Sequence, residues 1–223
     1  KQSQQRKLDP AGVQKLGIDV QRGGRNFNVW VVRTNTTAEI VKKTRESNLI
    51  PALEDTINIM QEYGIGPDNV FVDDTGVGGG LTDMLAMRGI IVNGIKLGDG
   101  AEKIETIDQS GKEVAKSEYL NVRAEIYAGK EGVMSWIKQG GHLVPSADWI
   151  ELTRIRYKKD VSSRTKIEPK DDMIKRGVQS PDAADALALT FAKVKKVEYY
   201  GNRTLDPMAV LSGTNNQFGG ISW

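Results

Sequence analysis

The chain has no cysteine and a single histidine, His142, among its 223 residues. The first absence excludes disulfides, thiolate metal sites and a cysteine nucleophile. The second excludes histidine-rich metal sites and leaves few routes to a Ser-His-Asp triad. No apolar run approaches the roughly 20 residues needed to span a bilayer, and the first seven residues are polar with no signal-peptide core. No membrane partner is expected, and the cytoplasm is the default location. Charge of one sign is not in excess either: 31 Lys and Arg against 29 Asp and Glu leave +2. That is too little to mark a nucleic-acid binder, so the placement of charge has to decide. Carboxylates, lysines, hydroxyls or a bound cofactor are left to do any chemistry. Hydrophobic residues at 39% and charged residues at 27% are ordinary for a globular protein, and the length suffices for one large α/β domain.

Residues 1–12 are polar and aperiodic and read as a linker; residues 13–197 carry the pattern of a folded domain; 198–223, rich in Gly, Asn, Thr and Ser, read as a flexible tail. Within the domain, Val13 to Val20 alternates like a strand, with a turn at Gly23-Gly24. Phe27 to Arg33 and Glu39 to Thr44 predict two more strands in an antiparallel meander. Pro51 opens a helix with Leu53, Ile57 and Met60 at helical spacing, and Gly64 to Pro67 stops it. Val70-Phe71-Val72, a glycine-rich turn leading into a helix to Met87, and Ile90 to Ile95 together fit a parallel βαβ unit. A polar excursion follows from Gly98 to Ser117, then a mostly helical stretch from Tyr119 to Gln139, then a basic hairpin over Ile155 to Pro169. The last helix starts at Pro181 and is expected to run to about Val197. Trp30, Trp136 and Trp149 read as packing residues, and His142 as a loop residue. The order β-β-β-α-β-α-β followed by helices is that of the RNase H-like fold: an α/β mixed central sheet, three antiparallel strands and then parallel ones, flanked by helices.

Asp19 ends the first strand, and Asp73 ends the apolar strand at its centre. Asp182 and Asp185 are three residues apart on the last helix and therefore share a face. Carboxylates so placed converge if the strands are neighbours and the helix crosses them. Such a cluster suits hard divalent cations, a pair of which can clamp the attacking and leaving oxygens of a phosphodiester. Each aspartate also has a structural reading, as a turn former or as a charge favouring a helix N-terminus. Asp185 is the hardest to read that way. It interrupts the apolar Ala183-Ala184-Asp185-Ala186-Leu187, where an unpaired charge is costly unless a metal or a lysine stands beside it.

Three segments resemble the nuclease domain of the tailed-bacteriophage large terminase, over about residues 13–195 and in that family's order. They are Gly17-Ile18-Asp19; Val72-Asp73-Asp74-Thr75-Gly76 with Val77-Gly78-Gly79-Gly80; and Lys170-Asp171-Asp172-Met173 leading to Ser180-Pro181-Asp182-Ala183-Ala184-Asp185-Ala186-Leu187. The resemblance implies an endonuclease with two Mg²⁺ or Mn²⁺ ions that cuts double-stranded concatemeric DNA, with little sequence specificity, during genome packaging. It implies Asp19, Asp73 and Asp185 as catalytic metal ligands, with Asp182 as a further ligand. Asp74 and Lys170 would be auxiliary. Implied partners are the terminase ATPase domain, the portal protein and the small terminase subunit, in the cytoplasm of the host cell; the isolated domain is expected to be monomeric. Many relatives carry another acid shortly after the first aspartate, whereas Arg22 to Asn26 fill that turn here.

The run Gly76-Val77-Gly78-Gly79-Gly80 lacks the Gly-Lys-Ser/Thr ending of a P-loop. Its expected role is close backbone approach beside the metal site, and with no Walker motif the chain is expected to be the nuclease part alone. Arg156, Lys158, Lys159, Arg164 and Lys166 in the hairpin are candidates for tracking DNA phosphates, against the reading of a merely solvated charged surface. Two other functions stay open: a catalytically silent module that docks DNA or a partner, and another RNase H-like enzyme such as a junction resolvase or transposase.

Overall fold

The computed structural model describes residues 12–21, 26–107 and 110–194. The expected linker apart from Gly12, the Gly23-Gly24 turn and the tail with Trp223 lie outside them. Strands β1 (Lys15–Asp19), β2 (Asn28–Arg33) and β3 (Thr37–Thr44) form the antiparallel meander. Helix α1 (Leu49–Tyr63) follows, its first turn capped by the Asn48 side chain on the Ile50 amide; Gly64 at φ 63° ends it. Strand β4 (Val70–Asp73), helix α2 (Gly78–Met87) and strand β5 (Asn93–Ile95) make the parallel unit. The sheet order is β5-β4-β1-β2-β3, extended by the two-residue strand β8 (His142–Leu143) parallel to β3. The fold is therefore the mixed RNase H-like sheet that the element order predicts.

The meander alternates, and alternation assigns the faces. Leu16, Ile18, Trp30, Val32, Val70 and Val72 pack toward α1 and α2. Val29, Val31 and Phe71 pack toward the other layer. That layer comprises α3 (Val122–Ala128), α4 (Val133–Lys138), α5 (Ile150–Arg154), α6 (Lys170–Lys175) and α7 (Asp182–Leu189). Gly17, Asp19 and Asp73 share the face of Val29 and Phe71, so both strand-end carboxylates point to the α7 side.

Several expectations change. The polar excursion contains an exposed hairpin, β6 (Ile104–Ile107) and β7 (Glu113–Lys116). The Tyr119–Gln139 stretch is two helices, because the chain turns at Gly129 and Gly132 where a Cβ would strike backbone carbonyls of α3. The strand expected from Ile90 begins only at Asn93, since Gly89 at φ 76° and the buried Ile90 complete the end of α2. His142 sits in a strand, its amide bonded to the Thr36 carbonyl at 2.7 Å, rather than in a loop. Helix α7 ends at Leu189, where the Thr190 hydroxyl donates to the Leu187 carbonyl at 2.7 Å and Arg33 takes the Thr190 carbonyl at 3.0 Å. The basic hairpin is β9 (Tyr157–Lys159) and β10 (Thr165–Ile167). Trp30, Trp136 and Trp149 are buried packing residues. Among the described residues no helix is long and apolar enough to cross a membrane.

Candidate active site

Two glycines allow the site to assemble. A Cβ on Gly17 would lie 1.9 Å from the Ala186 carbonyl oxygen, so α7 rests directly on the β1 backbone. A Cβ on Gly78 would lie 1.5 Å from the Asp73 carbonyl, so the start of α2 turns tightly beneath β4. Parallel pairing of Gly17 with Phe71 and Ile18 with Val72 then sets Asp19 next to Asp73 at the carboxyl ends of adjacent strands. The small side chains of α7 let it cross β1, β2 and β4 and bring Asp182 and Asp185 to the same place.

All four carboxylates are buried, Asp19 and Asp185 completely. Lys170, at the start of α6, reaches between two of them: its Nζ is 2.9 Å from Asp185 Oδ2 and 3.5 Å from Asp19 Oδ2. Asp19 Oδ1 accepts the Gln21 amide at 2.8 Å, and Asp73 Oδ1 accepts the Thr75 N–H at 2.9 Å. Asp182 Oδ2 accepts the Phe27 N–H at 2.7 Å, while its Oδ1 is buried without a well-formed hydrogen bond. Burial raises the Asp19 carboxyl far above its usual range; Lys170 opposes this, and the charges of Asp185, Asp73 and Asp182 add to it. Burial likewise raises Asp73 and Asp182. At Asp185 burial acts the same way but is outweighed by Lys170 and Arg123, which hold it below the usual range. Burial opposes the charge on Lys170, yet Asp185 and Asp19 keep its pKa well above that of a free lysine.

Three contributors had no distinct sequence signal. Arg123 and Tyr127 of α3 both bond Asp185. Glu151 of α5 accepts the Ala183 and Ala184 amides at 2.8 and 3.0 Å, occupying the free N–H groups at the start of α7. Asp74 does not join the cluster. Its carboxylate accepts the Thr82 hydroxyl of α2 at 2.8 Å and packs against Gly94, because alternation along β4 sends it to the opposite side from Asp73.

The hairpin residues divide. Lys158 and Lys166 are direct cross-strand partners, on the face opposite the buried Thr165 and Ile167. Arg156 and Lys158 are exposed. Lys159 instead bonds Thr165 Oγ1 at 2.9 Å, and Arg164 is committed to Asp160 at the hairpin turn, at 2.8 Å.

No protein-family model and no curated protein sequence matches the chain. Solved structures do match its shape. The nuclease domain of the large terminase subunit of bacterial virus Sf6 superposes with a TM-score of 0.65 at 17% identity, over 82% of this chain and 90% of that one. A mutant of that domain with manganese and beta-thujaplicinol gives 0.65 at 15%, over 84% and 91%. The large terminase nuclease of thermophilic phage G20c gives 0.53 at 17%, over 84% and 86%. The fold is that of the large terminase nuclease domain. The G20c nuclease has also been solved with bound magnesium and with bound cobalt.

On this terminase-nuclease fold the donor set is all oxygen, the chemistry hard divalent cations select. Among the described residues no three carboxylates enclose an ion as they stand. The cation between Asp19 and Asp185 is the Lys170 ammonium. A buried cluster of carboxylates gathered around one ammonium is a concentration of hard oxygen donors, and such donors fit a divalent cation.

Proposed function

We propose that the chain is a divalent-metal-dependent endonuclease of the large-terminase type, cutting double-stranded DNA with little sequence preference during genome packaging in the host cell. The observation that carries this reading is the convergence of Asp19, Asp73, Asp182 and Asp185 on one buried face of the terminase-nuclease fold. Asp19, Asp73 and Oδ2 of Asp185 would hold two Mg²⁺ or Mn²⁺ ions, with Asp182 as a further ligand. When bound, the metals would supply Lewis acidity toward a phosphodiester and lower the pKa of water.

The chain's own residues do the rest. Lys170 balances the charge of Asp19 and Asp185. Gln21 and the Thr75 amide fix the orientation of Asp19 and Asp73, so each offers its other oxygen to the centre. The exposed Arg156 and Lys158, with the half-buried Lys166 beside them, present a cationic face. Like charges directly opposite one another on a hairpin repel, and a phosphate backbone between Lys158 and Lys166 removes that cost. Contacts of this kind hold DNA without reading its sequence. Lys159 and Arg164, engaged within the hairpin, contribute by shaping it. The ATPase domain, portal protein and small terminase subunit are the partners this assignment brings with it, and the domain on its own would be a monomer.

Plasmid cleavage by the parent and by Asp73→Asn, in EDTA, Mg²⁺ and Mn²⁺, tests the assignment. Asp73 makes no salt bridge among the described residues, and burial already disfavours its charge, so the variant should melt at or above the parent. Metal-dependent nicking that falls at least about 100-fold in the variant supports the proposal; equal cutting by both overturns the site. No cutting in any metal favours the second reading, a silent docking module, for which the Lys170 ammonium standing at Asp185 Oδ2 is the specific motive.

A further inference from the structure

We infer that Arg123 and Tyr127 of α3 are positioning residues that turn Asp185 so that Oδ2 alone faces the other carboxylates, reserving that oxygen for a divalent cation. The inference rests on the metal-dependent reading above and names how one ligand of that site is held.

The geometry carries it. Oδ1 of Asp185 accepts three hydrogen bonds, from Arg123 Nε at 3.2 Å, Arg123 Nη2 at 3.1 Å and the Tyr127 hydroxyl at 2.8 Å. Oδ2 receives none of them and faces Lys170 Nζ. A guanidinium whose task is to neutralise a carboxylate takes the fork geometry, one N–H to each oxygen, because two parallel charge-assisted bonds are the stronger arrangement. Here both guanidinium nitrogens converge on one oxygen and a phenol joins them. The stronger arrangement is forgone and the second oxygen is left facing the site. Arg123 and Tyr127 lie one helical turn apart, so both project from the same face of α3.

The third arm of the guanidinium adds to this. Arg123 Nη1 donates to the Glu168 carbonyl at 2.8 Å, two residues before Lys170. One side chain thus sets the orientation of Asp185 and anchors the segment from which Lys170 reaches Oδ2. Asp185 is fully buried, and Arg123 and Tyr127 are 8% and 3% exposed, so water cannot substitute for either donor. Partners of this kind around a metal ligand typically change metal affinity by about 10- to 100-fold when removed.

The test is Mn²⁺ titration by calorimetry, with melting of the metal-free protein in parallel, on the parent, Tyr127→Phe, Arg123→Lys and Arg123→Met. Tyr127→Phe should keep the parent's metal-free melting, since Arg123 still satisfies Oδ1, yet bind Mn²⁺ about 10-fold more weakly. Arg123→Met should lose more, and Arg123→Lys should recover part of that loss. Should Arg123→Met fail to fold, Tyr127→Phe decides. Parental Mn²⁺ affinity in Tyr127→Phe, with or without a change in melting, overturns the inference and leaves the nuclease proposal standing. A parent that binds no Mn²⁺ overturns both.

Discussion

One missing methyl group at Gly17 governs how closely α7 approaches β1, and through that whether Asp185 reaches Asp19. Alanine there would place Cβ 1.9 Å from the Ala186 oxygen and 2.9 Å from Thr190 Cγ2. The obstacle is helix backbone, which cannot swing aside as a flexible side chain does. Gly17→Ala should therefore destabilise by about 3 kcal/mol, lowering the melting temperature by roughly 10 °C, and should reduce cleavage beyond what the fraction unfolded explains. A variant melting like the parent would mean that α7 does not seat on β1 as described. Asp19 gives the opposite expectation. Its carboxylate is buried among three others, and burial already disfavours its charged form. Asp19→Asn should raise the metal-free melting temperature at neutral pH while abolishing any stabilisation by Mn²⁺; lower metal-free stability would show that Lys170 matters more to Asp19 than burial does. The aspartates were legible in sequence because strand ends and apolar neighbours make a carboxylate conspicuous. Arg123 and Tyr127 were not, because their partner lies 62 and 58 residues away and no local pattern encodes such a pairing.

The eight-residue helix α7 carries two of the four carboxylates, too short to be stable unaided. Its ends explain why it holds. Glu151 accepts two of its first amides, and Arg33, stacked over Phe191 with its guanidinium carbon 4.0 Å from the ring centroid, takes the Thr190 carbonyl just past its last turn. An acid at the N-terminus and a base at the C-terminus also match the helix dipole. Sequence periodicity predicted a longer helix, since Phe191 and Val194 continue the apolar pattern. The terminator, Arg33, lies far upstream on β2, beyond the reach of any local stop signal. Glu151 also has a pH signature. Burial raises it from 4.5 to about 7, with the Ala184 and Ala183 amides and Lys43 opposing and Asp182 adding. A carboxyl raised on folding binds its proton more tightly in the native state. Its contribution is thus full below pH 4.5 and is lost as pH rises through 7. The metal-free melting temperature should decline across that window, and Glu151→Gln, which keeps an acceptor for the amides, should flatten the decline. Glu151→Ala loses the acceptor as well and should cost about 1 kcal/mol at low pH and less as pH rises through 7. Parallel pH profiles for the parent and Glu151→Gln would remove Glu151 from the account.

For the molecule as a whole, the near balance of 31 bases and 29 acids conceals a division of labour. The acids at the ends of β1 and β4 and on α7 are buried together, whereas the bases of β9 and β10 stand outside. Several bases around them are already engaged: Arg164 with Asp160, Arg176 with Glu168, Lys170 with Asp185 and Asp19. Composition cannot distinguish an engaged base from an available one, which is why the hairpin was legible as basic but not as selectively so. Once pairing is known, the cross-strand Lys158 and Lys166, with Arg156 beside them, stand apart from Lys159 and Arg164, whose side chains are bonded within the hairpin. Each phosphate contact contributes a slope of about 0.9 to the dependence of log affinity on log salt. Lys158→Ala/Lys166→Ala should therefore weaken DNA binding equally across unrelated sequences and reduce that slope by about 2. The paired variant Lys159→Ala/Arg164→Ala removes the same charge from engaged positions and should change the slope less. Melting of the first double variant should equal or exceed the parent's, because a repelling pair is gone. Equal slopes for the parent and both double variants would place the DNA on another face and detach the hairpin from the carboxylate site, whereas equal losses in the two variants would mean that net charge, and not the cross-strand pair, draws the DNA.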